Sequence, residues 1–294
     1  MQNSKCAFVA VIGAPNAGKS TLVNAIIGEK VSIVSPKIQT TRRQIRGTTE
    51  VGNTQLIFID TPGFCNPNTP LEKVIVSNFK NSYRDCDIVL LIIDATSKNV
   101  TPSIKLLERL SNGAVIAVVI NKVDIAEKKS ILEIASQLSR YNFVKEVFMI
   151  SALKKDGIDD IKKFLIDVAP NAPWFFEANT ATDLPVTLRL AEITREKLFY
   201  HLDKELPYSV YVETEVFHET EKKARIYQSI VVMKASQKGI VLGKCGNMIK
   251  MIKHDAIEDM RKILNKKIEL KIFVKVKEKW TEKAVHLRNA GIID

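Results

Sequence analysis

The chain has 294 residues, 46% hydrophobic and 26% charged, and carries a net charge of +11. That length suits two domains, each able to bury its own core, and the composition excludes a disordered or fibrous chain. No apolar run reaches membrane-spanning length, and Cys6, Cys65, Cys86 and Cys245 offer neither metal-ligand spacing nor a disulfide framework. Met1-Gln2-Asn3-Ser4-Lys5 runs straight into an apolar segment, so no signal peptide is expected and a reducing cytoplasm is the expected compartment.

In chain order, Ala7–Ile12 is continuously apolar and reads as a buried parallel strand. Gly13-Ala14-Pro15-Asn16-Ala17-Gly18-Lys19-Ser20 follows, matching the phosphate-binding pattern G-x-x-x-x-G-K-[ST], and Thr21–Ile27 then has helical spacing. Glycines let the backbone wrap a polyphosphate, so that N–H groups and the helix N-terminus face it. Lys19 would add charge at the β- and γ-phosphates, and the Ser20 hydroxyl would ligate Mg²⁺.

Glu29–Arg46 is polar and basic without periodicity and reads as a long exposed loop. Strands are expected at 55–59, 88–93, 115–120 and 147–150, with helices near 71–83, 103–110, 129–139 and 158–168. Strand–helix alternation with unbroken apolar strands predicts an α/β domain over residues 1–170, its mostly parallel sheet covered on both faces. Ligands in such sheets collect beyond the carboxyl ends of the strands, where every polar signature falls.

Asp60-Thr61-Pro62-Gly63 follows the second strand; Asp60 can hold Mg²⁺ through water and the Gly63 N–H can reach a γ-phosphate. Asn121-Lys122-Val123-Asp124 ends another strand. The Asp124 carboxylate can accept from N1–H and the N2 amine of guanine, a pair that adenine lacks. Lys122 would lie along the base. Ser151-Ala152-Leu153 can offer a backbone N–H to the guanine O6. The expected substrate is GTP, hydrolysed to GDP and phosphate.

Prolines at 170, 173 and 185 and a polar stretch predict a linker over 171–185. Trp174 within it is expected between domains. Beyond it, 186–294 reads helix, strand, strand, loop, helix, strand and a short terminal helix. The loop holds Gly239 and Gly243-Lys244-Cys245-Gly246, a Gly-x-x-Gly of the kind by which KH domains clamp single-stranded nucleotides. Residues 234–288 carry 15 Lys/Arg against 6 Asp/Glu, or +9, while 171–233 carry 7 against 10, or −3. That local excess suits nucleic acid, and charge alone would equally suit a solvated surface or an anionic membrane. Lys266, Lys267, Lys271, Lys275, Lys277 and Lys279 lie along the last strand and fit either phosphate binding or a solvated edge.

With these motifs in hand, residues 7–168 resemble a translation-factor-related GTPase domain, and the whole chain resembles the Era family of ribosome-assembly GTPases. The phosphate-loop form Gly-x-Pro-Asn-x-Gly-Lys-Ser-Thr, with Pro15 and Thr21, and Gln39-Thr40-Thr41-Arg42 in the first switch carry the resemblance. It implies a type II KH arrangement for the C-terminal part, and Thr41, with Thr40 as the alternative, as ligand to Mg²⁺ and the γ-phosphate. Its partners would be the 3′ end of small-subunit ribosomal RNA and the small ribosomal subunit, with the anionic inner-membrane surface as a further contact and a monomer as the expected state.

Phe64 stands where Ras-like proteins carry a water-orienting glutamine, so intrinsic hydrolysis is expected to be slow. Asn16, by resemblance, would help hold K⁺ beside the phosphates and so act with Lys19, Thr41 and Gly63 in catalysis. The expected RNA-contacting set is Gly239, Ile240, Gly243, Lys244, Cys245, Gly246 and Lys250.

Overall fold

The computed structural model describes residues 4–34, 37, 45–61, 86–110, 113–203, 206–290 and 292. The expected helix at 71–83 and the site residues Thr41, Pro62, Gly63 and Phe64 lie outside them. Of these, residues 4–34 and 45–183 fall in one compact unit, and residues 37 and 184–292 in a second.

The first unit runs β1 (Lys5–Gly13), α1 (Lys19–Ile27), β2 (Ile45–Val51), β3 (Thr54–Asp60), β4 (Ile88–Asp94), α2 (Thr101–Leu107), β5 (Val115–Asn121), α3 (Lys128–Leu138), β6 (Val144–Ile150) and α4 (Ile158–Val168). Its six-stranded sheet has the order β2-β3-β1-β4-β5-β6, with β2 antiparallel to β3 and the other pairs parallel. Val9 and Val11 pack beneath α1 and α4, whereas Ala10 and Ile12 pack beneath α2 and α3. Both faces are covered, so β1 is apolar at successive positions rather than alternating. Each fully buried Val, Leu or Ile contributes about 1.5–3 kcal/mol to this arrangement.

Two expectations for this unit are corrected. The polar loop does not extend to Arg46, because Ile45–Val51 forms edge strand β2. Residues 171–183 are also no free tether. The buried amide of Gln55 accepts the Phe175 and Phe176 N–H groups at 2.9 Å and donates to the Phe176 carbonyl at 3.0 Å. Trp174, expected between domains, donates its indole N–H to the Asn53 carbonyl at 3.1 Å, and the Thr182 hydroxyl donates to the Arg46 carbonyl at 2.8 Å. The segment is held along the β2–β3 edge by hydrogen bonds that a proline count does not reveal.

The second unit runs α5 (Val186–His201), β7 (Tyr211–Glu219), β8 (Lys223–Val232), α6 (Ala235–Leu242), α7 (Asn247–Leu264), β9 (Lys267–Val276) and α8 (Ala284–Asn289). Its sheet is β7-β8-β9, with β7–β8 antiparallel and β8–β9 parallel. One face packs under α5, α6 and α7 through Val212, Ile226, Ile230, Leu270 and Val274. At one end of the opposite face, fully buried Trp280 lies edge-on to Tyr211 at 4.7 Å and donates to the Ser209 carbonyl at 2.9 Å. No helix among the described residues is long and apolar enough to cross a membrane.

Candidate nucleotide and RNA sites

The phosphate loop is shaped where β1 meets α1. Gly13 has φ 151°, and a Cβ there would stand 2.4 Å from the Ile92 carbonyl oxygen of neighbouring β4. Gly18 has φ 96°, and a Cβ there would stand 2.2 Å from the Asn121 Nδ2. Both positions therefore demand glycine, for conformation and for space. The first turn of α1 carries no acidic side chain, which keeps its N-terminus suited to an anion. Lys19 is buried and donates to the carbonyls of Gly13 at 3.2 Å and Ala14 at 2.9 Å, so its ammonium is held inside the loop. Asn16 is exposed with φ 61°, a left-handed conformation that asparagine tolerates better than most residues.

The motif residues converge. Ser20 Oγ donates to Asp60 Oδ2 at 2.7 Å, joining α1 to the end of β3. Thr61 turns away: it is fully buried and its hydroxyl donates to the Val11 carbonyl at 2.8 Å, which fixes the chain as it leaves β3.

Asn121 is the junction of the site. Its amide donates to the Ala17 carbonyl at 2.8 Å, and its Oδ1 accepts the Ala152 N–H at 3.0 Å. One buried side chain thus ties the phosphate loop to the Ser151-Ala152-Leu153 turn. The Ala152 N–H already has this partner, so a base carbonyl arriving there would share it. Lys122, at φ 67°, reaches Asp94 Oδ2 at 2.6 Å. That contact makes Asp94 a positioning residue that short-motif reading misses. The Ser151 hydroxyl, foremost, then the residue's own backbone N–H and Lys154 at 3.5 Å hold the Asp124 carboxyl below the ordinary aspartate range. Leu153 is 81% exposed at the mouth of this loop.

In the second unit, Gly243 follows α6 at φ 72°, where a Cβ would lie 2.6 Å from that of Met248; Gly246 at φ 73° has open space on its Cβ side. Lys244 and Cys245 are exposed between them, with Cys245 also left-handed at φ 52°. Gly239 lies within helix α6 and not in the loop; it is exposed, and its carbonyl accepts the Gly243 N–H at 2.9 Å. Ile240 is 55% exposed, whereas Val241 and Ile252 belong to the core. Lys250 lines a groove with Ile249 and Lys253 of α7 and Lys271, Ile272 and Phe273 of β9. Lys253 and Phe273 were not anticipated as groove residues. Basic and apolar alternation in β9 was the available signal, but it does not reveal which helix lies opposite.

A phosphate loop, a guanine-type base loop and a Gly-x-x-Gly loop on a β-α-α-β core define a GTPase joined to a KH domain. Comparison with known proteins agrees. A family model described as a 50S ribosome-binding GTPase matches residues 8–122, and a KH-domain model matches 205–281. The GTPase Era proteins of Mesorhizobium japonicum and Rhizobium meliloti are 42% and 40% identical to this chain, over 97% and 98% of it and 93% of each relative. A crystal structure of Era with MgGDPNP and nucleotides 1506–1542 of 16S ribosomal RNA matches with a TM-score of 0.91 and 32% identity, over 99% of this chain and all of that one. An Aquifex aeolicus Era variant bound to GDP and AlF4⁻ matches with the same TM-score at 33% identity, over 99% of this chain and 100% of that one. The chain belongs to the Era family of GTPases.

Proposed function

We propose that this chain is a GTP-driven switch that binds the 3′ end of small-subunit ribosomal RNA through its KH unit and assists assembly of the small ribosomal subunit. The observation that carries the nucleotide half is the double hydrogen bond of Asn121, to Ala17 and to Ala152, which holds phosphate-binding and base-reading loops together. The RNA half is supported by the glycine-bounded loop beside a lysine-lined groove, and by the Era structure that contains 16S ribosomal RNA.

Ser20 and Asp60 bring two hard oxygen donors together, a donor set that suits Mg²⁺. Ser20 would hold the ion directly and Asp60 through water, and the ion supplies charge neutralisation at the β- and γ-phosphate oxygens. Lys19, shifting from the loop carbonyls to the phosphates, adds a second positive charge where the transition state gathers negative charge. Asp124 accepts from the guanine edge, and Asp94 holds Lys122 beside it. Thr41 and Gly63, by their place in the sequence, sense the γ-phosphate. Phe64 offers no hydrogen bond to the attacking water, so K⁺ held near Asn16 is our proposed supplement to catalysis.

The test is GTP turnover in KCl with a short single-stranded RNA from the small-subunit ribosomal RNA 3′ end, against a scrambled RNA and against Lys244→Glu. The specific RNA is expected to raise turnover and the substitution to abolish the rise. RNA binding without any change in turnover would overturn coupling between the two activities. No RNA binding would overturn the RNA half.

A further inference from the structure

The face of the β7-β8-β9 sheet opposite its helices carries an aromatic and cationic surface that starts at the groove residues Lys271 and Phe273 and extends to Tyr227, which neither site described above uses. Side chains alternate across a strand, so Tyr227 of β8 and Lys271 and Phe273 of β9 share this face. Tyr227 is paired with Lys271 across the ladder, and Ser229 with Phe273, which places the two rings at diagonal positions on adjacent strands. Phe273 is 51% exposed and Val216, the β7 partner of Tyr227, is 41% exposed. The Trp280 segment covers the Tyr211 end of this face.

The charges facing this surface are divided unevenly. Glu215 is engaged by Lys275 and by the Ser229 hydroxyl at 2.6 Å, Glu269 by Lys223 and by Arg225 at 3.6 Å, and Glu213 by the Asn289 amide at 2.9 Å. Among the described residues, Lys271 makes no ion pair with a carboxylate; its ammonium lies 4.9 Å from the centroid of the Tyr227 ring. A base stacking on that ring would replace the ammonium there and release it toward the adjoining phosphate, exchanging one favourable contact for two.

Continuity decides the occupant. Lys271 and Phe273 belong to an edge strand and also line the groove beside α7. A KH groove clamps about four nucleotides, so a longer strand has to continue past one of its rims. We propose that the outward face of the sheet is a stacking platform for single-stranded RNA leaving the groove over β9, with Tyr227 and Phe273 as its rings and Lys271 as its phosphate contact. This rests on the RNA-binding reading given above.

The test uses the full chain and two fluorescein-labelled RNAs sharing one core, of about four and about ten nucleotides, read by anisotropy. Tyr227→Ala is expected to weaken the longer RNA by about tenfold and to leave the shorter one unchanged, and Tyr227→Phe to restore binding. Unchanged thermal melting checks that each variant folds. An equal effect of Tyr227→Ala on both lengths, or none on either, would overturn the platform while leaving the groove intact. Loss of binding to anionic phosphatidylserine vesicles with RNA affinity unchanged would also overturn it, marking the face as a lipid surface. Lys244→Glu is the control for the groove: both lengths should weaken, and no effect on either would remove the reading beneath the proposal and the proposal with it.

Discussion

Ser20 Oγ and Asp60 Oδ2 meet at 2.7 Å, although they lie forty residues apart in the chain. The pairing follows from topology: β1 and β3 are parallel neighbours, so the start of α1 and the end of β3 open on the same edge. Asp60 is fully buried, and Mg²⁺ is the partner that best uses both oxygens. Asp60→Ala is therefore expected to weaken GDP binding in Mg²⁺ by about tenfold or more. EDTA should speed GDP release from the wild-type chain and have little further effect on the variant. An equal EDTA response in both would remove Asp60 from the metal site.

Asp124 sets a pH dependence. Its carboxyl is held below the ordinary aspartate range by the Ser151 hydroxyl first, then by its own backbone N–H and by Lys154, and guanine recognition uses the ionised form. With a depressed value in the folded chain, this group's contribution is complete above the ordinary aspartate range and lost only as pH falls through the lower, folded value. GDP binding should thus survive acidification past the point where a free aspartate protonates. Ser151→Ala should move the loss to higher pH, as seen by titrating a fluorescent GDP analogue from neutral pH downward.

For Asn16, backbone and side chain can be separated. Its left-handed φ of 61° means that Asn16→Ala disturbs both, whereas Asn16→Gly permits the same conformation while removing the side chain. Turnover is expected to be about tenfold faster in KCl than in NaCl, and Asn16→Gly is expected to erase that difference without preventing GTP binding. A variant that retains full potassium stimulation assigns Asn16 to the turn alone.

Gly243 has two reasons to be glycine, a φ of 72° and a Cβ position 2.6 Å from the Met248 Cβ. Gly243→Ala should distort the loop and reduce RNA affinity about as strongly as Lys244→Glu, with GDP affinity untouched. Lys244→Glu should in addition lower the salt dependence of RNA binding by about one charge or more, whereas Gly243→Ala changes affinity with less effect on that slope.

Trp280 combines complete burial, an edge contact with Tyr211 and a hydrogen bond to the Ser209 carbonyl at 2.9 Å. Trp280→Ala should cost about 3–5 kcal/mol of stability in urea titrations followed by circular dichroism. Trp280→Phe keeps a ring but leaves the Ser209 carbonyl without the indole N–H, and should cost about 1–3 kcal/mol.

Much of the nucleotide site was legible because its chemistry is local: a glycine that must approach Ile92, a lysine and a serine that follow it, and Asn121 at the end of an apolar strand. β2 was not legible. Ile-Arg-Gly-Thr-Thr-Glu-Val is an edge sequence, largely polar, with Gly47 where a Cβ would stand 2.4 Å from the Ile27 Cδ1. Helix α6 was hidden for a related reason, since its eight residues include Gly239 and it buries only Val241. The RNA groove was half legible: the loop glycines lie together in sequence, but Lys253 and Phe273 meet only after α7 packs against β9. Residues 171–183 show the opposite error. Their prolines suggested a linker, but Gln55, with the Asn53 and Arg46 carbonyls, holds them along the first unit's sheet.

The parallel pairing of β8 with β9 has a consequence for how this chain comes to life during synthesis. β7 and β8 are joined by a short turn and can pair as a hairpin as soon as both have emerged. β9 pairs with β8 only after α6, the Gly-x-x-Gly loop and α7 have been made and folded back across the sheet, so this loop closure comes late and is slow. Until then there is a hairpin but no groove wall, no Phe273 beside Tyr227 and no lysine opposite Lys253. The nucleotide-handling unit precedes it in the chain and can fold first. A nascent molecule would therefore gain its grip on GTP before its grip on RNA, and a chain truncated before Lys267 would keep the first and lack the second.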